Sequence, residues 1–355
     1  MKIPARYKRI SQKAQAGGFG SVTPLEDTFL RRVVLLKSMH KSEHNEQILN
    51  EIKGLCAARS RHVVEIYDVI ENEGGVEGVI IERLRGRGFE EFWKEAQTSP
   101  LYYLRILCQI ASALESIHAV GIVHRDLKLD NFRESSAGVL KIFDFGISSP
   151  SENHETKQNK GTLIYAAPEL YVSGAQITKE MDIYALGICA WTLATQTLPS
   201  ALLERPPQSS ERARSISNAF SSPLHPEVAN ILDACLEPNP NLRPSAGSVC
   251  KTLSRHLLRD KHKGMFVQKN ATVFELSAAN PFVKLTIAGL GAVSVRYDGL
   301  EFSVTAVEGN VRVNNVSVAV GNILHTACLL SFGSPGLGSG QQWVTFFSSH
   351  PEVVL

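Results

Sequence analysis

His124-Arg125-Asp126-Leu127-Lys128-Leu129-Asp130-Asn131, followed after a short turn by Asp144-Phe145-Gly146, is the stretch on which the reading of this chain depends. Moving the terminal phosphoryl of ATP to a hydroxyl needs an acceptor for the alcohol proton, oxygen ligands for magnesium, and a cation near the developing charge. Asp126, Asn131, Asp144 and Lys128 are residues of those types within one short span. Ile122-Val123 before His124, and Leu140-Lys141-Ile142-Phe143 before Asp144, are apolar lead-ins. Turns rich in Asp and Asn are common in any protein, so neither tripeptide carries the reading alone. The order and separation of the two segments do.

Toward the N-terminus, Gly78 to Leu84 is an apolar, strand-like run, Asn45 to Ala58 has helical spacing, and Val33 to Lys37 is a β-prone run ending on a lysine. Ahead of them, Ala14-Gln15-Ala16-Gly17-Gly18-Phe19-Gly20-Ser21-Val22 is dense in glycine, as a hairpin must be if its backbone is to approach phosphate oxygens without Cβ obstruction. Glycine-rich turns are ordinarily just turns, and an exposed Lys or Glu is ordinarily a solvated charge. Lys37 and Glu51 gain weight from their order after this hairpin.

Toward the C-terminus, Leu101 to His118 sets Leu104, Leu107, Cys108, Ala111, Leu114 and Ile117 along one helical face. Gly161-Thr162-Leu163-Ile164-Tyr165-Ala166-Ala167-Pro168-Glu169, Asp182-Ile183-Tyr184-Ala185-Leu186-Gly187 and Asn241-Leu242-Arg243-Pro244 follow, and a last helix is expected over Ala246 to Leu258. Singly, an Asp at a helix start is an N-cap and an Arg is a surface charge.

Taken in order, these segments resemble the eukaryotic-type Ser/Thr protein kinase family over residues 7 to 258. The resemblance implies an α+β, two-lobed protein-kinase fold, with a small β-rich lobe at 7–84 and a larger helical lobe at 85–258, and a strand at each of the lead-ins Ile122-Val123 and Leu140 to Phe143. It implies that Asp126 accepts or orients the substrate hydroxyl, that Lys128 stabilises the transferring phosphoryl, and that Asn131 and Asp144 hold Mg²⁺ or Mn²⁺. Lys37, held by Glu51, would contact the phosphates of ATP, with residues 14–22 above them, and Ile81, Glu82 and Leu84 would meet the adenine. Thr162 would bond Asp126 and Lys128, while Asp182 and the Glu169–Arg243 pair would support the site. Lys128, two residues after Asp126, and the segment ending at Glu169 point to serine or threonine acceptors in protein substrates. Arg125 implies control by phosphorylation, with Ser151 and Thr156 as candidates for autophosphorylation. One departure stands out: Gln15 occupies the first glycine position of the hairpin motif, which implies weakened nucleotide binding. It is also the single feature favouring the alternative of a pseudokinase scaffold acting through its C-terminal region.

That region, 265–355, alternates apolar and polar positions, as in Leu300 to Val307 and Val311 to Val320, and is expected to form a small all-β sandwich after a linker at 259–264. Asn314-Asn315 suits a tight turn, and Ser334 to Gly340 reads as a loop tip. Its last strands are similar to those of a forkhead-associated (FHA) domain but lack that family's Gly-Arg and Ser-x-x-His phosphate contacts. The expectation is a protein-partner module without an assigned phosphopeptide pocket.

Composition sets the outer bounds. Apolar residues make up 43% and charged residues 20% of 355, and the net charge is +2, which suits packed globular domains and argues against a nucleic-acid or membrane-surface binder. Six scattered cysteines, with no Cys-x-x-Cys pair, read as buried thiols. Residues 1–10 lack the apolar core of a signal peptide and no run reaches membrane-helix length, so a cytoplasmic protein is expected; export by a specialised machine is compatible with the same composition.

Overall fold

The structure, a computed structural model, describes residues 2–10, 15–17, 20–38, 45–72, 75–143, 162–269, 272–353 and 355; side chains at 15–17, 20, 21, 45–48, 50, 51, 72, 162 and 337–339 are not described. The chain divides into two compact units, Met1–Leu253 and Ser254–Val354. No helix among the described residues is long and apolar enough to cross a membrane.

The first unit opens with β1 (Tyr7–Arg9), β2 (Gln15–Gly17), β3 (Gly20–Asp27), β4 (Arg32–Ser38), helix α1 (Asn45–Ala58), β5 (Ile66–Asn72) and β6 (Gly75–Glu82). These strands form an antiparallel sheet in the order β1-β3-β4-β6-β5, with β2 paired to β3. Leu25, Val34, Leu36, Ile70 and Ile80 bury their side chains against Tyr7 on one face of this sheet. A charged clamp ties its edge: Arg6 donates from Nε and Nη2 to the two Asp27 carboxylate oxygens at 2.8 and 2.7 Å.

Helices dominate the rest of this unit: α2 (Trp93–Thr98), α3 (Pro100–Ala119), α4 (Lys179–Ala194), α5 (Ser200–Leu203), α6 (Pro226–Ala234) and α7 (Ala246–Leu257), whose last turn falls in the second unit, with a short hairpin of β7 (Phe132–Glu134) and β8 (Leu140–Ile142) between α3 and α4. Pro100 opens α3, where its missing N–H costs nothing and its φ is already helical. The α3 stripe is buried as its spacing requires. Helix α4 is buried nearly all round, from Met181 to Ala194, which makes it the core around which the others pack. Tyr103 of α3 donates its hydroxyl to the Ala190 carbonyl at 3.0 Å, fixing the two helices' register.

The lead-in Ile122-Val123 is not a strand. Among the described residues it has no ladder partner: the Ile122 amide turns back to the Ile117 carbonyl, and the amide of His124 is taken by a side chain, described below.

The described residues of the second unit form nine strands: β9 (Gly264–Gln268), β10 (Val273–Leu276), β11 (Phe282–Ile287), β12 (Gly291–Tyr297), β13 (Phe302–Gly309), β14 (Val311–Val313), β15 (Val316–Ser317), β16 (Ala327–Phe332) and β17 (Gln342–Ser348). They make a six-stranded sheet, β10-β9-β17-β16-β14-β15, and a three-stranded one, β11-β12-β13. One core, including Phe266, Leu330 and Phe346 from the first sheet and Val293, Val295 and Phe302 from the second, lies between them, so the unit is a β-sandwich. Asn314 and Asn315 take φ of 50° and 69° in the turn between β14 and β15, a conformation Asn tolerates and most residues do not. Two local expectations differ. Ser334–Gly340 includes a 3₁₀ segment, Pro335–Gly340. Residues 259–264 are tied down, since Asp260 donates its amide to Gly299 O at 2.8 Å, Lys263 its amide to Ser349 Oγ at 2.8 Å, and Gly264 already belongs to β9.

Candidate active site

The segment from His124 to Asn131 is built on one buried carboxylate. Asp182, in the first turn of α4 and 1% exposed, accepts the His124 amide (2.7 Å), the Arg125 amide (3.0 Å) and His118 Nε2–H (2.9 Å). A buried carboxylate must be satisfied by donors, and here the donors are the backbone of the loop it organises. Arg125 takes φ +70°, a left-handed conformation costing an L-residue roughly 1–2 kcal/mol; the two neighbouring amides pinned on Asp182 hold it there. The His124 ring is fixed as well. Its Nδ1 accepts from the Asp126 amide at 3.3 Å, so Nε2 carries the proton and donates to the Phe143 carbonyl at 3.1 Å.

Asp126 then emerges with its carboxylate already engaged. Lys128 Nζ donates to Oδ2 at 2.7 Å, a charge-assisted bond. Asn131 Nδ2 donates to the Asp126 carbonyl at 2.7 Å and to Oδ2 at 3.2 Å, which orients the amide and turns its Oδ1 away from Asp126 as an oxygen to offer a cation. The Asn131 amide closes a 3₁₀ turn onto Lys128 O, and its carbonyl accepts the Phe143 amide at 3.0 Å. Both backbone polar groups of Phe143 are thus committed to the loop. Asp144, Ser151 and Thr156 lie outside the described residues, as do Ala14, Gly18 and Phe19. For Thr162 the backbone is described, opening a 3₁₀ turn, and the side chain is not.

In the β-lobe, Gln15 pairs with Val22, Ala16 with Ser21 and Gly17 with Gly20, a hairpin, and Val22 is in turn the register partner of Lys37. Lys37 sits mid-sheet, 8% exposed, flanked on its other side by Val79. Glu51 is on α1, with its side chain outside the described set. Ile81 pairs with Leu35 and Ile66, and Leu84 lies just past the end of β6, partly exposed. The Glu82 amide is spent within the sheet on Glu65 O at 2.9 Å.

Farther out, Arg243 grips Glu169 in a bidentate pair at 2.6 and 2.7 Å and also donates to the carbonyls of Glu180, Glu237 and Pro238. Its guanidinium lies over the Tyr184 ring, 4.9 Å from the centroid, and burial pushes the Tyr184 phenol up to about 12.

Three supporting residues escape a reading by motif. His118 is the third donor on Asp182, and its signal is a polar residue closing an apolar helix. Gln109, buried in the apolar face of α3, accepts the Leu140 amide at 2.8 Å and so anchors β8. Lys141, 6% exposed, donates to Glu82 at 2.5 Å and to Glu65 at 3.4 Å, linking β8 to the end of β6; nothing local in the sequence marks that pairing.

Comparison with known proteins adds independent findings. The profile of the protein kinase domain matches residues 10–253. A probable serine/threonine-protein kinase, pknA2, of Bifidobacterium longum is 31% identical over 209 residues, covering 56% of this chain and 27% of that protein. The probable serine/threonine-protein kinase PknB of Lactococcus lactis is 33% identical over 248 residues, covering 65% and 38%. Human NUAK family SNF1-like kinase 1 is 30% identical over 200 residues, covering 55% and 30%. The chain therefore spans well under half the length of these relatives.

Proposed function

The chain belongs to the protein kinase domain family, and from that premise we propose that it transfers the terminal phosphoryl of ATP to serine and threonine hydroxyls of protein substrates. The observation that carries this reading is the Asp126 carboxylate, oriented by Lys128 and Asn131 on a loop whose backbone is fixed by Asp182. A carboxylate so placed accepts the alcohol proton as attack proceeds, and Lys128, bonded to it, stays beside the phosphoryl oxygens as their charge redistributes. Because these groups are held before substrate arrives, little reorganisation accompanies the chemistry. Mg²⁺ or Mn²⁺, when bound, would neutralise phosphate charge, and Asn131, through Oδ1, together with Asp144 are the residues to hold it. Lys37, Glu51 and the hairpin of residues 14–22 make the phosphate subsite in this account, with Ile81, Glu82 and Leu84 at the adenine. Thr162 supports the Asp126–Lys128 pair, and Arg243–Glu169 braces the peptide platform.

Names of the bacterial relatives support the Ser/Thr assignment. Residues 265–355 take the role of partner selection, outside the chemistry. Radiolabelled ATP with a generic protein substrate and phosphoamino-acid analysis tests the reading: label on serine and threonine, lost in Asp144→Ala, is expected. No label from a folded, nucleotide-binding wild type would favour the scaffold that Gln15 suggests. Autophosphorylation at Ser151 or Thr156 is expected as added mass after ATP treatment, absent from Asp126→Ala; equal masses would dismiss it.

A further inference from the structure

The first unit brings together two cysteines that lie 142 positions apart in sequence. Cys108, fully buried in the middle of α3, and Cys250, partly exposed on α7, face each other with sulfurs 3.8 Å apart, and the Cys108 thiol also points at the Cys250 carbonyl at 3.7 Å. The two thiols are in contact where α3 meets α7. We propose that Cys108 and Cys250 form a reversible, intramolecular disulfide that staples α3 to α7 when the protein meets a peroxide.

The chemistry follows from the difference in exposure. Cys250, the more exposed of the two residues, attacks hydrogen peroxide as its thiolate; an S–O bond forms, the O–O bond breaks, and water leaves after protonation. The Cys108 sulfur, already in contact, attacks the resulting sulfenic acid at sulfur, the S–S bond forms, the S–O bond breaks, and a second water departs. Two thiols and one peroxide give one disulfide and two waters. The sulfurs must close from 3.8 Å to about 2.0 Å, a movement that side-chain rotation and small helix adjustment supply. The neighbouring α3 residue, Gln109, holds β8 through Leu140, so the staple is set into the helix that supports the catalytic segment. Cys189, Cys235 and Cys328 are buried thiols whose acidities burial suppresses, and Cys56 is exposed on α1; what singles out Cys108 and Cys250 is the contact between their sulfurs.

The test uses the full chain treated with hydrogen peroxide and then mapped by non-reducing peptide mass spectrometry. The expected result is a Cys108–Cys250 cross-linked peptide that dithiothreitol dissolves, with a rise in the melting temperature of roughly 5–10 °C on oxidation, since a long loop is closed. Cys250→Ser, altered at a partly exposed position, should melt like the reduced wild type and show no peroxide-dependent rise. Cys250 trapped by dimedone as a persistent sulfenic acid while Cys108 remains open to alkylation after denaturation would overturn the proposal. So would a cross-link joining other cysteines, or a melting rise that survives in Cys250→Ser.

Discussion

Asp182 carries the largest share of the site's geometry for one side chain. Two backbone amides and an imidazole converge on it in a buried setting, so truncation leaves donors without an acceptor, not merely a weaker contact. Each buried, unpaired donor costs about 1–3 kcal/mol. Asp182→Ala should therefore lower unfolding free energy by about 3 kcal/mol in urea titrations and abolish catalysis before it abolishes folding. Asp27 acts differently. Hydrogen bonds from Arg6 hold its carboxyl well below the usual range, against burial, and the Leu30 and Phe29 amides assist. A depressed native pKa means that its contribution is complete above the unfolded value of about 4 and drains away as pH falls toward the native one. Thermal melts from pH 6 to 2 should show Asp27→Asn less stable than wild type at the upper end, with the gap narrowing below about pH 4; a gap constant with pH would refute that role.

At the scale of elements, α4 shows why local propensity is a poor guide inside a core. Gly187 lies in its middle, where alanine would normally favour a helix by about 1 kcal/mol. A Cβ there would meet Leu236 Cδ2 and Cγ at 2.7 Å and Cys235 Cβ at 3.1 Å. Overpacking of this kind costs typically 1–3 kcal/mol. Gly187→Ala should thus destabilise the first unit by about 1–2 kcal/mol, measured as a lowered urea midpoint with an unchanged slope; a raised midpoint would show that the helix has room. Periodicity made α1, α3 and β4 legible to within a residue or two, because their apolar residues recur at the helical or strand spacing that burial requires. Ile122-Val123 misled for the complementary reason. An apolar pair reports burial, but strand formation needs a ladder partner, and here the Ile122 amide bonds a carbonyl of α3 while His124, the residue after the pair, gives its amide to Asp182.

Across the whole molecule, what sequence could reveal divides by the range of the interaction. Asp126, Lys128 and Asn131 sit within a few positions of one another, so their proximity was readable as a string, and the structure adds how each is hydrogen-bonded. His118 with Asp182, Lys141 with Glu82, and Cys108 with Cys250 are separated by 64, 59 and 142 positions, and only the packing of helices and sheet brings them together. The β-sandwich is legible as alternation and turn chemistry, yet its strands carry no comparable polar string, and its partner stays a matter of proposal. The account of the first unit rests on a single carboxylate acting as proton acceptor in phosphoryl transfer. The most direct measurement is kcat for phosphorylation of a serine-containing peptide by wild type and by Asp126→Asn at saturating Mg-ATP, together with nucleotide affinity by calorimetry. A fall in kcat of about 10²-fold or more with unchanged nucleotide affinity is the expected result. Equal turnover by the two proteins would contradict it.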